Sequence, residues 1–321
     1  MLIIKDAEVR ELLKMDDCIS LLKQLFDDTL HPQSELMIRQ RLPLPSGSLQ
    51  VMGGVIPNSQ ASGLKTYLSI PGNKSPQMVV ILFGTESAEP LAIIGANALG
   101  QIRTGAISGV ATNYMANPSA STVSIIGSGF QASSQLEAIC KVRDIEKAFV
   151  YSSNYQNRNS FAEMMRVYLD IDVIATNNVD EAVNSTEIIC TITNSINPVF
   201  DGSFVNPGTH INAAGSNSKA RREIDQTTIQ RSNVIVVDDI QQAQIEAGDL
   251  ISAENGDAFC WQDVLSLRSV VSKKSMGRYS EKDITLFESQ GIGTEDVILS
   301  LIHISEPTRR TPISYAVFCL K

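Results

Sequence analysis

The sequence predicts an α/β protein of two units: an α+β unit followed by a doubly wound parallel sheet. Three observations predict it. The chain has 321 residues, and single cores rarely grow past roughly 250 residues, so two cores are the expectation. Up to residue 96 the apolar runs are short and broken by Pro and Gly, as in "LPLPSGSLQVMGGVIP" and "SGLKTYLSIPGN". From Ser121 onward, apolar runs alternate instead with stretches of helical period.

The elements follow in order. Residues 6 to 30, "DAEVRELLKMDDCISLLKQLFDDTL", carry Val9, Leu12, Leu13, Ile19, Leu22, Leu25 and Phe26 mostly at three- and four-residue steps, which predicts an amphipathic helix. After the turn signal His31-Pro32 come strands, continued by "QMVVILFG" and "EPLAIIG". Residues 97 to 117 are rich in Ala, Gly and Ser at helical spacing, so a closely packed helix joins the two units. Beyond it lie "STVSIIG", a helix over 130 to 142, "KAFVYSS", a helix over 157 to 168, then "DVIATN", "EIICTIT", "THINAAG" and "NVIVVDD". These strands do not alternate apolar and polar residues, as expected where helices cover both faces of a parallel sheet. The expected domains are 1–117, for substrate binding and dimerisation, and 118–297.

Composition excludes several function classes. A net charge of −9 argues against nucleic acid, which needs a concentrated basic face. No apolar run approaches the roughly 20 residues of a membrane span. Lys5, Asp6 and Glu8 interrupt the position where a secretory signal would need an apolar core. Cysteines at 18, 140, 190, 260 and 319 form no CxxC pair, so neither a disulfide framework nor a metal site is expected. The expectation is a cytoplasmic protein whose partner is a small molecule.

Residues 299 to 321, "LSLIHISEPTRRTPISYAVFCLK", resemble throughout the conceptual translation of a transposase-type sequencing adapter, with the variable index over Arg310, Thr311 and Pro312. The segment is therefore expected to be a non-native tail that does not dock, and His303 and Cys319 are set aside. Without it the chain carries 23 basic and 34 acidic residues, a net charge of −11.

"VSIIGSGFQASSQLEAI" sets Gly127, Gly129 and Ala132 as G-x-G-x-x-A between a strand and a helix. Gly127 permits the tight turn, Gly129 lets backbone amides reach a pyrophosphate, and Ala132 allows close helix packing. This is the fingerprint of a Rossmann-type dinucleotide-binding sheet. The next strand ends in Ser152 and Ser153, where an acidic residue would grip the ribose hydroxyls of NAD. With Arg158 downstream, NAD or NADP remains open with a slight lean to NADP; the alternative for Arg158 is a solvated helix face.

With "IRTGAISGVA", "GSGFQA" and "GTHINAAGSN" in this order, residues 1 to about 297 resemble the ornithine cyclodeaminase/mu-crystallin family. The resemblance implies a homodimeric NAD(P)-dependent enzyme: an ornithine cyclodeaminase, an alanine dehydrogenase or an imino-acid reductase. It implies that Arg39 in "RQRLPLPSG" clamps the substrate carboxylate, with Arg41 a bland neighbour on the strand. Lys65 in "GLKTYLS" matches the active-site lysine, able to polarise an imine and move protons. Gln50, Met52 and Gln290 fall on the substrate side. Arg103 reaches both substrate and cofactor. Thr104, Phe130, Gln131, Thr193, Ala214, Gly215, Ser216, Asn217, Arg221 and Ser289 fall on the cofactor side, and His210 reads as structural.

The members of that family share hydride exchange at the substrate α-carbon. Cyclodeamination also needs a base for the distal amine, and the deaminases carry Asp where this chain has Asn217 and Glu where Gln50 aligns. An amide has no accessible pKa near neutrality and cannot serve as that base. The expectation is therefore an NAD(P)H-dependent imino-acid reductase acting on Δ1-pyrroline-2-carboxylate or a similar ketimine, with Lys65 and Asn217 at the reacting centre. Cyclodeaminase and alanine dehydrogenase are the alternatives, and a crystallin-like binding protein without turnover is the alternative of another class.

Overall fold

The computed structural model describes residues 1–72, 77–254 and 258–305, without the side chains of 304 and 305. The first unit is a six-stranded sheet in the order β1-β6-β5-β4-β3-β2. Its strands are β1 (Leu2–Ile4), β2 (Glu35–Leu44), β3 (Gly47–Ile56), β4 (Ala61–Ser69), β5 (Met78–Gly84) and β6 (Pro90–Gly95). All pairings are antiparallel except β1 with β6. Helices α1 (Asp6–Leu12) and α2 (Met15–Leu25) cover its inner face. The single helix expected over 6 to 30 is thus two, because Leu13 and Lys14 are both extended and restart the helix with Leu13 and Met15 buried.

Helix α3 (Asn97–Met115) joins the units and is buried along nearly its whole length. Its small residues have a local purpose: a Cβ at Gly105 would lie 2.1 Å from the Ser134 carbonyl oxygen, so only glycine lets α3 and α4 approach this closely.

The second unit is an eight-stranded, wholly parallel sheet in the order β13-β12-β14-β11-β10-β7-β8-β9. Its strands are β7 (Thr122–Ile126), β8 (Lys147–Tyr151), β9 (Asp172–Ala175), β10 (Ile188–Thr191), β11 (His210–Ala213), β12 (Val234–Val237), β13 (Leu265–Ser266) and β14 (Thr285–Glu288). The central strands β10, β11, β12 and β14 are buried at every position, which is why their apolar runs do not alternate. Around them lie α4 (Ala132–Val142), α5 (Tyr155–Leu169), α6 (Val179–Asn184), α7 (Gln226–Arg231), α8 (Ile240–Glu246), α9 (Gly248–Glu254) and α10 (Leu267–Val271). Strand order reverses between β7 and β10, and the crevice above that point is where open α/β sheets bind ligands.

Helix α11 (Gly293–Ser300) leaves the second unit and returns to the first. Val297, Ile298 and Leu299 share one apolar core with Val9, Leu22 and Ile94, and a Cβ at Gly293 would strike the Gly53 backbone. Leu299 and Ser300 close this helix in full burial, and a short α12 (Ile302–Ser305) follows with His303 buried. The expectation that the tail does not dock fails for Leu299 to His303; residues 306 to 321 lie outside the described residues. Among the described residues no helix is long and apolar enough to cross a membrane.

Candidate active site

Two cavities meet at the seam between the units. The larger, about 680 Å³, runs along the carboxyl ends of β7 and β8 and is lined by Gly127, Gly129, Phe130, Ser152, Ser153 and Thr193. The smaller, about 150 Å³, is lined by Arg39, Lys65, Arg103, Asn217 and Gln290, with Thr104, Ala214, Ser216 and Ser289. Gln131, Ile192 and Gly215 border both, so the two form one continuous site.

The larger cavity fits a dinucleotide. Gly127 sits at φ +117, and a Cβ there would lie 2.4 Å from the Ile192 carbonyl oxygen. Gly129 faces open space, leaving the backbone bare where a pyrophosphate would approach. The N-terminus of α4 has no side-chain cap; the Ala132 amide turns back to the Gly129 carbonyl at 3.1 Å, and the helix N-terminus beyond it is a place where an anion is favoured. At the far end Ser128 Oγ donates to Ser152 Oγ at 2.9 Å. Arg158 is buried rather than solvated: its guanidinium donates to the Ser152 carbonyl at 2.8 Å, contacts Asn177 and stacks on Tyr155.

The smaller cavity gathers three cations, each held by a buried carboxylate. A bulge between Met37 and Gln40 turns Arg39, the one buried residue of β2, inward. Its Nη1 donates to Glu246 Oε2 at 2.6 Å, and its Nη2 to Met52 Sδ at 3.4 Å and to the carbonyls of Gln290 and Gly291 at 3.0 Å each. Arg103 Nη1 donates to Glu295 Oε2 at 3.2 Å. Arg39 Nε is buried without a partner, and Arg103 Nε has no hydrogen bond but lies 3.7 Å from Asp296 Oδ1; a ligand carboxylate would relieve the first.

Lys65 lies opposite Met52 on the inward face of the sheet, 2 % exposed, with Nζ 2.8 Å from Asp296 Oδ1. Burial lowers its amine from 10.5 to about 8; Asp296 resists the fall, and Arg103 and Arg39 add to it. Around it Tyr67 lines the cavity and donates to Gln50 Oε1 at 2.8 Å.

The loop bordering both cavities hangs from buried acids. Glu223 accepts from the Thr193 and Gly215 amides at 2.5 and 2.7 Å, and burial raises its carboxyl to about 7. Asp238 Oδ2 accepts from Ser289 Oγ at 3.0 Å and from the Gln290 and Gly291 amides at 2.7 and 2.6 Å.

A family model described as "Ornithine cyclodeaminase/mu-crystallin family" matches residues 1–307. The chain belongs to the ornithine cyclodeaminase/mu-crystallin family. The match extends past residue 299, into the segment that resembles an adapter. A Δ1-pyrroline-2-carboxylate reductase of Bacillus cereus is 32% identical over 308 residues, 94% of each chain. The structure of Thermococcus litoralis Δ1-pyrroline-2-carboxylate reductase in complex with NADH and L-proline superposes with a TM-score of 0.91 at 30% identity, over 95% of this chain and 97% of that one. An archaeal alanine dehydrogenase dimer with bound NAD gives 0.88 at 28% identity, covering 94% of each chain.

Against the family's motifs, most expected positions converge on the seam. Gln50 and Met52 stand one contact behind it, through Tyr67 and Arg39. Arg158 stands behind Ser152. Arg221 is exposed and lines neither cavity. His210 is fully buried, bonded to Thr285 and Asn212 within the sheet, as a structural residue would be. Arg41 is no bland neighbour: it pairs with Glu246 Oε1 and donates to the Asn217 carbonyl at 2.7 Å. Sequence reasoning missed Tyr67, Glu246, Glu295 and Asp296. The last two stand together in "GTEDV" at the start of α11, an acidic pair that an ordinary helix N-terminus also favours.

Proposed function

We propose that this protein is a nicotinamide-dependent reductase of cyclic or linear imino acids, with Δ1-pyrroline-2-carboxylate or a closely related ketimine as substrate and the L-amino acid as product. The observation that carries the reading is the smaller cavity: a buried lysine lined up with two buried arginines, beside an amide rather than a carboxylate at Asn217. Arg39 and Arg103 hold the substrate carboxylate and so orient the α-carbon. Lys65 polarises the imine nitrogen and delivers its proton. Gly127 to Gln131 would hold the dinucleotide, which when bound would supply the hydride. Asn217, with Ser216 and Gly215, walls the site without offering a base for a second amine. The relatives named for pyrroline-2-carboxylate reduction support this choice.

The ribose end has no carboxylate among the described lining residues, so a 2′-phosphate meets no repulsion, and we favour NADPH over NADH. Arg158, engaged with Ser152 and Asn177, supplies no free clamp, so the preference is small. A homodimer is the finer reading of assembly. Leu49, Val51, Leu64, Leu68, Ile81 and Ile93 make the outer face of the first sheet apolar and half-exposed or exposed, as an obligate interface would be. The free thiols Cys18, Cys140, Cys190 and Cys260 fit a reducing cytoplasm.

The test is to mix protein with NADPH or NADH and a panel of imino acids and follow loss of the reduced-nicotinamide absorbance. Oxidation is expected with cyclic ketimines, and none under any condition would overturn the reading. Ammonia release from ornithine with catalytic NAD would identify a cyclodeaminase instead. A preference for NADH of more than about tenfold, or some 1.4 kcal/mol, would reject the cofactor lean.

A further inference from the structure

The acids that come to the site from α11 have no role in the motifs that locate it. Asp296 is fully buried, its Oδ1 lies 2.8 Å from Lys65 Nζ and 3.7 Å from Arg103 Nε, and its Oδ2 has no partner. Two guanidiniums and an ammonium crowd a cavity of about 150 Å³, and the charges facing Lys65 are Arg103 from α3, Arg39 from β2 and Asp296 from α11. Glu295 and Asp238 act at one remove, through Arg103. Glu246 pairs with Arg39 and Glu295 with Arg103, and Asp296, which also approaches Arg103, is the carboxylate in direct contact with the lysine. Gly100, where an added Cβ would lie 3.6 Å from Nζ, lines the cavity beside the amine, whereas Asp296 does not line it.

We infer that Asp296 is the positioning residue that keeps Lys65 protonated and aimed into the substrate cavity, so that the lysine is the proton donor of imine reduction. The inference rests on the reductase reading for its last clause only. In that step the hydride forms the new C–H bond at the imine carbon, the C=N π pair moves to nitrogen, and nitrogen takes the proton from Nζ. The reduced nicotinamide is oxidised, the imine is reduced, and the neutral Lys65 recovers its proton from water. The carboxylate that Asn217 withholds from the front of the site is supplied behind the lysine, where it can tune a proton donor but cannot serve a second substrate amine.

The test is the titration of Lys65 itself in the full chain, read by NMR of lysine labelled with ¹³C at Cε and assigned by its loss in Lys65→Arg. Asp296→Asn, close to isosteric, should lower the midpoint by about 1–3 pH units, the effect of removing an opposite charge at this range. Asp296→Glu, which restores the charge, should bring it back towards the wild-type value. In parallel the alkaline limb of kcat/KM should move down with the midpoint. A midpoint in Asp296→Asn within one unit of wild type overturns the inference. If that variant does not fold, the wild-type midpoint decides: an amine already neutral at pH 7 overturns it, and one still charged upholds it. Absence of turnover by the wild type would refute the reductase reading, while the Lys65 midpoint would still judge Asp296.

Discussion

Gly291 offers a way to move the carboxylate clamp without touching a charged residue. It lies at φ +71, and a Cβ built on it would fall 2.0 Å from Arg103 Nη1 and 2.5 Å from Nη2. Its carbonyl accepts from Arg39 and from Gln242, and its amide donates to Asp238. Gly291→Ala therefore has two separable effects. The left-handed backbone costs roughly 1–2 kcal/mol of stability for a residue with a Cβ. The methyl group also displaces the Arg103 guanidinium, a side-chain end that moves cheaply but leaves the position from which it lines the cavity. Losing one charged hydrogen bond to the substrate is worth about 1.5–3 kcal/mol, which raises KM about 10- to 150-fold. Lys65 keeps Asp296, so kcat should fall far less than KM rises. Steady-state kinetics on an imino acid, beside a cyclic imine lacking the carboxylate, separates the terms: the carboxylate-free compound should react as it does with wild type. A KM within about threefold of wild type, in a folded variant, would refute the assignment of Arg103 as a clamp.

Three further outcomes are expected. Gly129→Ala places a methyl in open space, so the unfolding midpoint should hardly change while the dissociation constant for the dinucleotide, measured by calorimetry, rises at least about tenfold; unchanged affinity would remove Gly129 from the pyrophosphate path. Leu68 is 45% exposed, so Leu68→Lys should be tolerated by the single chain yet give monomers by light scattering if the apolar sheet face is the dimer seam; a persistent dimer places the seam elsewhere. Burial lowers His210 from 6.5 to about 3. The unfolded chain therefore binds a proton between these values that the folded chain refuses, and stability falls as pH drops through that window. Denaturant unfolding at pH 4 and 6 should show an acid slope that His210→Asn flattens by about 1.4 kcal/mol per pH unit, and equal slopes would show that His210 does not titrate there.

What could be read from the sequence was whatever is local along the chain. The Gly127 to Ala132 turn carries its strand, its glycines and its helix within one short stretch, and α3 announces its packing by the small residues Gly100, Gly105 and Gly109. Lys65, Arg39 and Arg103 were each found inside a motif, although they come from three different elements. Their counterions were not, because a carboxylate acquires its partner only when the chain returns. Glu246 reaches Arg39 across 207 positions and Asp296 reaches Lys65 across 231. In the sequence "GTEDV" has the composition of an ordinary helix start, and nothing in it distinguishes a solvated acid from one fully buried beside a lysine. Arg41 is exposed, but its pairing with Glu246 was equally invisible, and Arg158 looked solvated because Asn177, which holds it, lies elsewhere in the chain. Asn217 is the informative contrast. Its departure from a carboxylate is visible in one letter, but its consequence depends on Asp296, which stands behind the lysine and not in front of it. The site has therefore not lost its acid chemistry; it keeps a carboxylate where the substrate cannot use it as a base.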